Sequence, residues 1–407
     1  MKRTALIVCV LIMLILSLPV LIAQNNPAQS VINGHNIIWS PTGKQFMYSN
    51  FPKSGSASTW RLYDVSKKAN IQTLFVTHSA TPVWSPDGKK IAYQQKDKII
   101  IHTLGGEQKS YQASATTIDY LSWAPDNYRI AYSGFTESGE QKIFILDTHN
   151  SNNSMVAWGA YPIWLQNGQA LVYTDAYFSL YILDNNGEEK EIATKVENPK
   201  IIKNGSMIAV YKYEEYTIEV YDLTTLKKTS VIPVKDLVLD KNGNAISAIQ
   251  GYDLHPNARF FLFGSDRSGI RLVDIITGEQ KQILTDGYLP SFSHDGSVFA
   301  YEYKKEIHIC MSSGFFSTIK TEPVFKVNLG TQNGIHTGST LLVYEEKINP
   351  FNNQPSGYDI SKPKGKVVVI NAYADYCIVK NTGDSNLENN DAVVIEGTSQ
   401  IGYITRE

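Results

Sequence analysis

Apolar residues fall along this chain in short β-branched and aromatic runs separated by turn residues, and one phrase punctuates those runs seven times. The phrase is clearest at Trp84-Ser85-Pro86-Asp87-Gly88-Lys89-Lys90-Ile91-Ala92-Tyr93 and at Trp123-Ala124-Pro125-Asp126-Asn127-Tyr128-Arg129-Ile130-Ala131-Tyr132. The other copies are WSPTGKQFMY from Trp39, WLQNGQALVY from Trp164, IIKNGSMIAV from Ile201, LHPNARFFLF from Leu254 and FSHDGSVFAY from Phe292. With the turn residue as origin (Gly43, Gly88, Asn127, Gly168, Gly205, Ala258, Gly296), the copies are spaced by 45, 39, 41, 37, 53 and 38 residues. A sustained period near forty is the mark of a repeat architecture.

Each phrase reads as strand, turn, strand. Four residues before the origin stands a large apolar residue (Trp39, Trp84, Trp123, Trp164, Ile201, Leu254, Phe292). Five after it stands an aromatic in six copies, with Val210 the exception. Pro-Asp-Gly and its relatives supply the turn, since Pro presets φ and Gly or Asn accepts φ > 0. Pro recurs six before the origin at Pro82, Pro162, Pro199 and Pro290, where it is expected at the head of a strand. A third strand follows each phrase, as in KIFILD from Lys142 or TIEVYD from Thr217, and a weaker fourth closes most units.

Four antiparallel strands every forty residues is the unit of a β-propeller. The fold class is therefore all-β: a propeller over 30–321, with seven blades counted and six possible, followed by a small β-barrel over 322–407. Regular recurrence at matching offsets argues against a β-sandwich or a stack of unrelated hairpins. If the first strand of each blade leads into its turn, all the phrase turns share one face. The opposite face then carries the variable loops: 50–58, 134–141 and the insertion 233–250 that stretches one interval to 53 residues. Loops on a rigid scaffold are where binding residues usually reside.

The phrase at Trp84–Tyr93 resembles the repeat of TolB-type propellers, the periplasmic component of the Tol–Pal envelope system. The likeness runs over about residues 30 to 320. TolB proteins carry an α/β domain before six blades, whereas here the repeats start soon after the N-terminal segment and number seven. Beyond Glu322 the phrase stops, and Asn328-Leu329-Gly330, Gly334-Ile335, Gly338, Leu342-Val343-Tyr344 and Asn390-Asp391-Ala392-Val393-Val394 resemble the C-terminal domain of the flagellar assembly protein FlgT. In that likeness the three glycines mark turns, and Asn390 stands where the family has glycine before Asp391.

Composition fits a packed exported protein. Apolar residues make up 43% of the chain, with 24 Tyr, 15 Phe and 6 Trp, which argues against disorder. Lys2 and Arg3 precede an apolar run from Ala5 to Ala23. Residues 1–23 read as a signal peptide cut after Ala23, or as an uncleaved N-terminal anchor that associates the protein with the membrane. Removing them leaves 35 basic against 39 acidic residues, a net charge of −4. No basic stripe points to nucleic acid. Cys310 and Cys377 fall in different modules, each in an apolar strand-like run, and are expected as buried free thiols.

No catalytic motif is legible. There is no G-x-S-x-G nucleophile elbow, and the eight His have no paired metal spacing. His255 and His294 occupy phrase turns and are expected at the surface. Asp240-Lys241-Asn242-Gly243-Asn244 falls short of a calcium loop, with Ala245 and Gly251 at the positions that need Gly and Glu. Asp266-Arg267 reads as a turn ion pair. No catalytic, cofactor-binding or metal residue is therefore assigned, and no cofactor is expected. The leading expectation is a non-enzymatic scaffold that binds a protein or peptide in the cell envelope. The alternative is a lyase- or hydrolase-type enzyme with its site in the central tunnel. Convergence of His, Asp, Glu or Arg on the first strands would favour the enzyme.

Overall fold

A computed structural model describes residues 30–50, 57–77, 81–202, 205–234, 249–256, 259–265, 269–275, 279–316, 324–336, 338–348, 355–358, 363–372, 376–382, 387, 391–394 and 401–406. The N-terminal segment, the tip of loop 50–58, most of the 233–250 insertion with Asp240–Asn244, the Asp266-Arg267 turn, Ala258 and Asn390 lie outside the described residues.

Seven four-stranded antiparallel sheets follow one another, one for each phrase. Blade 1 spans 35–77, blade 2 83–112, blade 3 117–158, blade 4 160–193, blade 5 196–233, blade 6 249–284 and blade 7 288–311. First strands of neighbouring blades lie against one another around the channel, most closely Thr117–Trp123 with Ala160–Trp164 and Ile249–Leu254 with Tyr288–Phe292. Between the blades, the aromatic and aliphatic residues of the phrase form the core: Phe46, Met47, Ile91, Tyr132, Val172, Phe261 and Phe299 are almost wholly buried. Val210, the exception to the aromatic rule, is equally buried.

Blade 7 has only three strands of its own. Its fourth is Ser30–Asn33, from the start of the propeller, which pairs antiparallel with Glu306–Met311 from Ser30↔Ile309 to Asn33↔Glu306. The last blade is thus completed by the first strand, and a ring that would otherwise be held at this point by side-chain packing alone is closed by backbone hydrogen bonds.

The phrase turns are β-turns in which the origin N–H reaches back three residues, at 2.9 Å for Gly43 to Ser40, Gly88 to Ser85 and Gly168 to Leu165. Each described origin has positive φ, from 63° at Asn127 to 83° at Gly205. The Asp of the phrase caps the turn: Asp87 accepts from the Ser85 hydroxyl (2.6 Å) and the Lys89 N–H (3.0 Å). Burial pushes the Asp87 carboxyl up, but these donors outweigh it and hold the group below the usual range.

The turn glycines also pack around the ring. A Cβ on Gly88 would lie 3.8 Å from Pro41 of blade 1, whereas one on Gly43 would stand 3.2 Å from Asp295 and one on Gly296 2.2 Å from His255. His255 is therefore not the surface residue expected. It is half-buried, with its ring edge-on to Phe292 (5.1 Å) and Phe316 (4.9 Å), while His294 is exposed. Gly88→Ala is predicted to cost only the left-handed backbone penalty, about 1 kcal/mol. Gly296→Ala adds the clash and is expected to cost about 3 kcal/mol. Urea unfolding checks both. Equal losses at the two glycines would refute the role given to His255.

Blade-to-blade hydrogen bonds engage the indoles of two of the four phrase tryptophans. The Trp84 indole donates to Ile38 O and the Trp39 indole to Ser291 O, both at 3.2 Å and both to the residue before the apolar anchor of the preceding blade. The Trp164 N–H similarly donates to Ser122 Oγ (3.1 Å) and the Phe292 N–H to Asp253 Oδ2 (2.8 Å). Among the described residues, the buried indoles of Trp123 and Trp164 have no hydrogen-bond partner.

The chain leaves blade 7 at the turn face through a one-turn helix, Ser313–Phe316, whose Phe315 and Phe316 pack on the core of blades 6 and 7. The C-terminal module is a closed six-stranded barrel, in the order Val324–Val327, Cys377–Asn381, Gly365–Ala372, Thr340–Tyr344, Ala392–Val394 and Ile401–Arg406, the last pairing back with the first. Its core is aliphatic, with Val327, Val343, Val367, Val379, Val393 and Ile404 fully buried. Gly334 and Gly338 occupy turns at positive φ. Asp391 is buried, with Lys364 Nζ 3.0 Å from both of its oxygens. Cys310 and Cys377 are free and buried, and burial pushes both thiols up to about 12, far from a reactive thiolate.

Candidate functional site

The recurrent Pro stands inside the first strand, not at its head, in blades 4, 5 and 7. In blade 5, Glu197 pairs with Tyr211 but the next partner of the ladder is Lys200 with Ala209, so the first strand carries an extra residue there. The same slip occurs between His35 and Ile38, Ala160 and Ile163, Ile249 and Tyr252, and Tyr288 and Ser291. These are β-bulges, where Pro is tolerated because no ladder N–H is required.

Each of these five bulges holds a residue at positive φ, always seven before the origin: Asn36 (60°), Tyr161 (53°), Asn198 (50°), Gly251 (112°) and Leu289 (49°). Thr81 and Tyr120 occupy the same position in blades 2 and 3. A bulky residue such as Leu289 is strained in this region. Such strain, repeated at one level of a channel, points to a site where the backbone re-aims side chains. The bulges lie at the beginnings of the first strands, hence at the mouth opposite the phrase turns. A cavity of about 340 Å³ sits there, lined by Asn36, Trp60, Asn198, Lys200, Leu289 and Glu302 among others.

The charged groups at this mouth are few and mostly engaged. Lys200 Nζ is 3.3 Å from Asp253 Oδ1, which ties blade 5 to blade 6. Tyr252, fully buried, donates its hydroxyl to Asn198 O at 2.6 Å and so supports the blade 5 bulge. Glu302 is 5% exposed and accepts the Asn36 N–H at 2.7 Å across the seam between blades 7 and 1. Burial raises its carboxyl above the ordinary range, and the single backbone donor offsets only part of that. Among the described residues no three His, Cys, Asp or Glu come together in a group that could hold a metal ion.

Beside the mouth the surface is aromatic. Phe135, Trp158, Tyr161, Tyr177 and Phe178 are the exposed aromatics of the propeller among the described residues, and all lie at the loop-face ends of blades 3 and 4. Tyr177 and Phe178, 82% and 46% exposed, form the tip of the loop between the second and third strands of blade 4. Asp175 builds that tip by accepting from the N–H groups of Tyr177 (2.9 Å) and Ser179 (2.8 Å). Tyr161 packs against Tyr120 with the rings tilted and their centroids 3.9 Å apart, the hydroxyls hydrogen-bonded at 2.8 Å. Burial and then this bond raise the Tyr120 phenol, which stays neutral. Trp158 lies under the Lys142 ammonium at 4.2 Å, and Phe178 approaches Tyr213 of blade 5 edge-on at 6.5 Å. A second cavity, of about 250 Å³, lies between Tyr161, Phe178, Asn198 and Pro199.

Of the loops expected to carry binding residues, 134–141 borders this crescent through Phe135. Tyr177 and Phe178 are missed by repeat counting. Their signal is two adjacent aromatics in an otherwise polar turn, Thr174-Asp175-Ala176-Tyr177-Phe178-Ser179.

No family model and no curated protein matches this sequence. Solved structures do match by fold. An oligogalacturonate lyase in complex with manganese superimposes with a TM-score of 0.56 at 11% identity, over 70% of this chain and 92% of that one. The β-propeller domain of Myceliophteria thermophila Cps50 (Swd1) gives a TM-score of 0.54 at 10% identity, over 70% and 98%. A lyase and the propeller domain of another protein are thus similar to this chain to nearly the same degree, and what the likeness shows is the β-propeller fold itself.

Proposed function

We propose that this chain is an exported, non-enzymatic binding scaffold of the bacterial cell envelope, whose propeller takes a protein or peptide partner on its loop face while the barrel docks a second envelope component. The observation that carries this reading is the gathering, among the described residues, of the exposed propeller aromatics on one side of one face. Exposed aromatic patches mark interaction sites, and Tyr and Trp are enriched at the anchors of interfaces. The channel residues support the same reading, because Lys200 and Asp253 stitch blades together and do not face one another across an open site. The apolar N-terminal run supports export.

The test is capture of partners from envelope extract with the full chain and with a Trp158→Ala/Tyr177→Ala/Phe178→Ala variant. A partner retained by the first and lost by the second is expected, and equal capture by both would sink the proposal. For export, the mature protein is expected to begin at Gln24, and an intact Met1 on N-terminal sequencing would overturn cleavage.

A further inference from the structure

We infer that the cavity at the loop-face mouth of the channel receives a lysine side chain of the bound polypeptide, its ammonium seated on Glu302. This deepens the scaffold reading and rests on it for the source of the lysine. Glu302 is buried and lines the cavity, yet among the described residues its carboxylate accepts one hydrogen bond only, from the Asn36 N–H. The second oxygen is without a partner. A buried carboxylate in that condition is unfavourable unless something cationic completes it.

The charge is not a requirement of the blade. Six after the origin, the other blades carry Ser49, Gln94, Ser133, Thr174, Tyr211 and Gly264, all neutral. Ser49 and Thr174 satisfy themselves within their own blade, on Asn36 Nδ2 and Ala160 O. Blade 7 alone places a carboxylate at this level. The cavity's other charge, Lys200, is already offset by Asp253, which leaves Glu302 as the unbalanced one.

The shape of the cavity selects the donor. Ile37, Ile38, Trp60 and Leu289 give apolar walls, suited to the methylene stem of lysine with its charged tip at the end. One free carboxylate oxygen fits a compact ammonium better than the two-pronged guanidinium of arginine. It is also too few ligands for a metal ion.

Glu302→Gln separates recognition from architecture, because its amide oxygen can still accept the Asn36 N–H. Calorimetric titration of the full-length protein with Nα-acetyl-lysine-N-methylamide is expected to show saturable binding. Binding of the norleucine counterpart, and of the lysine probe to Glu302→Gln, is expected to be weaker by roughly tenfold or more, the worth of a charged hydrogen bond. The melting curve of Glu302→Gln should match the wild type. Leu289→Trp, which fills the mouth and leaves the carboxylate in place, should lose the probe as well.

Absence of saturable lysine binding, or equal binding to wild type and Glu302→Gln, overturns the inference. Partner capture distinguishes the two readings. If capture survives Glu302→Gln and lysine binding is absent, the lysine site falls and the scaffold stands. If capture also survives loss of the three aromatics, the scaffold reading falls on its own account.

Discussion

Ile32→Asp is expected to open the ring. Ile32 is the one buried residue of the closing strand Ser30–Asn33, and it packs with Phe46, Tyr48, Val298 and Ile307 across the seam between blades 7 and 1. Placing a carboxylate there forfeits about 2–3 kcal/mol of side-chain burial and adds an unpaired charge to an apolar cluster. The combined loss is about 4 kcal/mol, a large part of the stability of an ordinary domain. Detachment of the strand also frees the edge of Glu306–Met311, whose exposed backbone can pair with another copy. Urea unfolding should show the lowered midpoint, and sedimentation velocity should show self-association. Val31→Asp is the control. Val31 is 51% exposed on the other side of the same strand and should change stability by no more than about 0.5 kcal/mol. Equal behaviour of the two variants would mean that the closing strand does not hold the ring.

Loss of Trp158, Tyr177 and Phe178 together should weaken partner binding at least about 100-fold while leaving the fold intact. Aromatic anchors at interface centres contribute about 2 kcal/mol or more on truncation, and their effects do not sum. A hundredfold is thus a conservative floor for three. The fold should tolerate the change because these side chains project from strand ends and a loop tip, where substitutions ordinarily fall within about 0.5 kcal/mol. Affinity for the captured partner, measured beside a melting curve, decides the matter. A hundredfold loss with an unchanged melt supports the loop face as the interface. Unchanged affinity would remove it. His294→Ala, exposed on the turn face, should leave binding as it was.

The repeat phrase was legible because its physics is local. Gly88 and Asn127 are needed where φ is positive, Trp84 and Trp123 sit four residues before it on a strand, and Tyr93 and Tyr132 follow on the next strand at the same distance each time. The bulge ring was half visible. Pro82, Pro162, Pro199 and Pro290 marked its level, but the residue beside them is Thr, Tyr, Asn or Leu, and no motif joins these types. What Tyr161, Asn198 and Leu289 share is a backbone conformation, which the ladder imposes and the side chain does not announce. His255 misleads for a related reason. Its place in the phrase predicts exposure, while Phe316, from the linker beyond blade 7, folds back against it.

The all-β class, a period that counts seven blades, the turn face and a separate C-terminal β module are all readable from the residues in order. This is so because alternation, turn chemistry and period are properties of contiguous residues. Closure of the seven blades into one ring emerges from the folded chain, since Ser30–Asn33 must find a strand at the far end of the propeller. Folding likewise brings Glu302 to Asn36 and sets Phe135, Trp158, Tyr161, Tyr177 and Phe178 on one face. These residues come from strands and loops far apart in the chain, and their neighbourhood exists only once the blades are stacked.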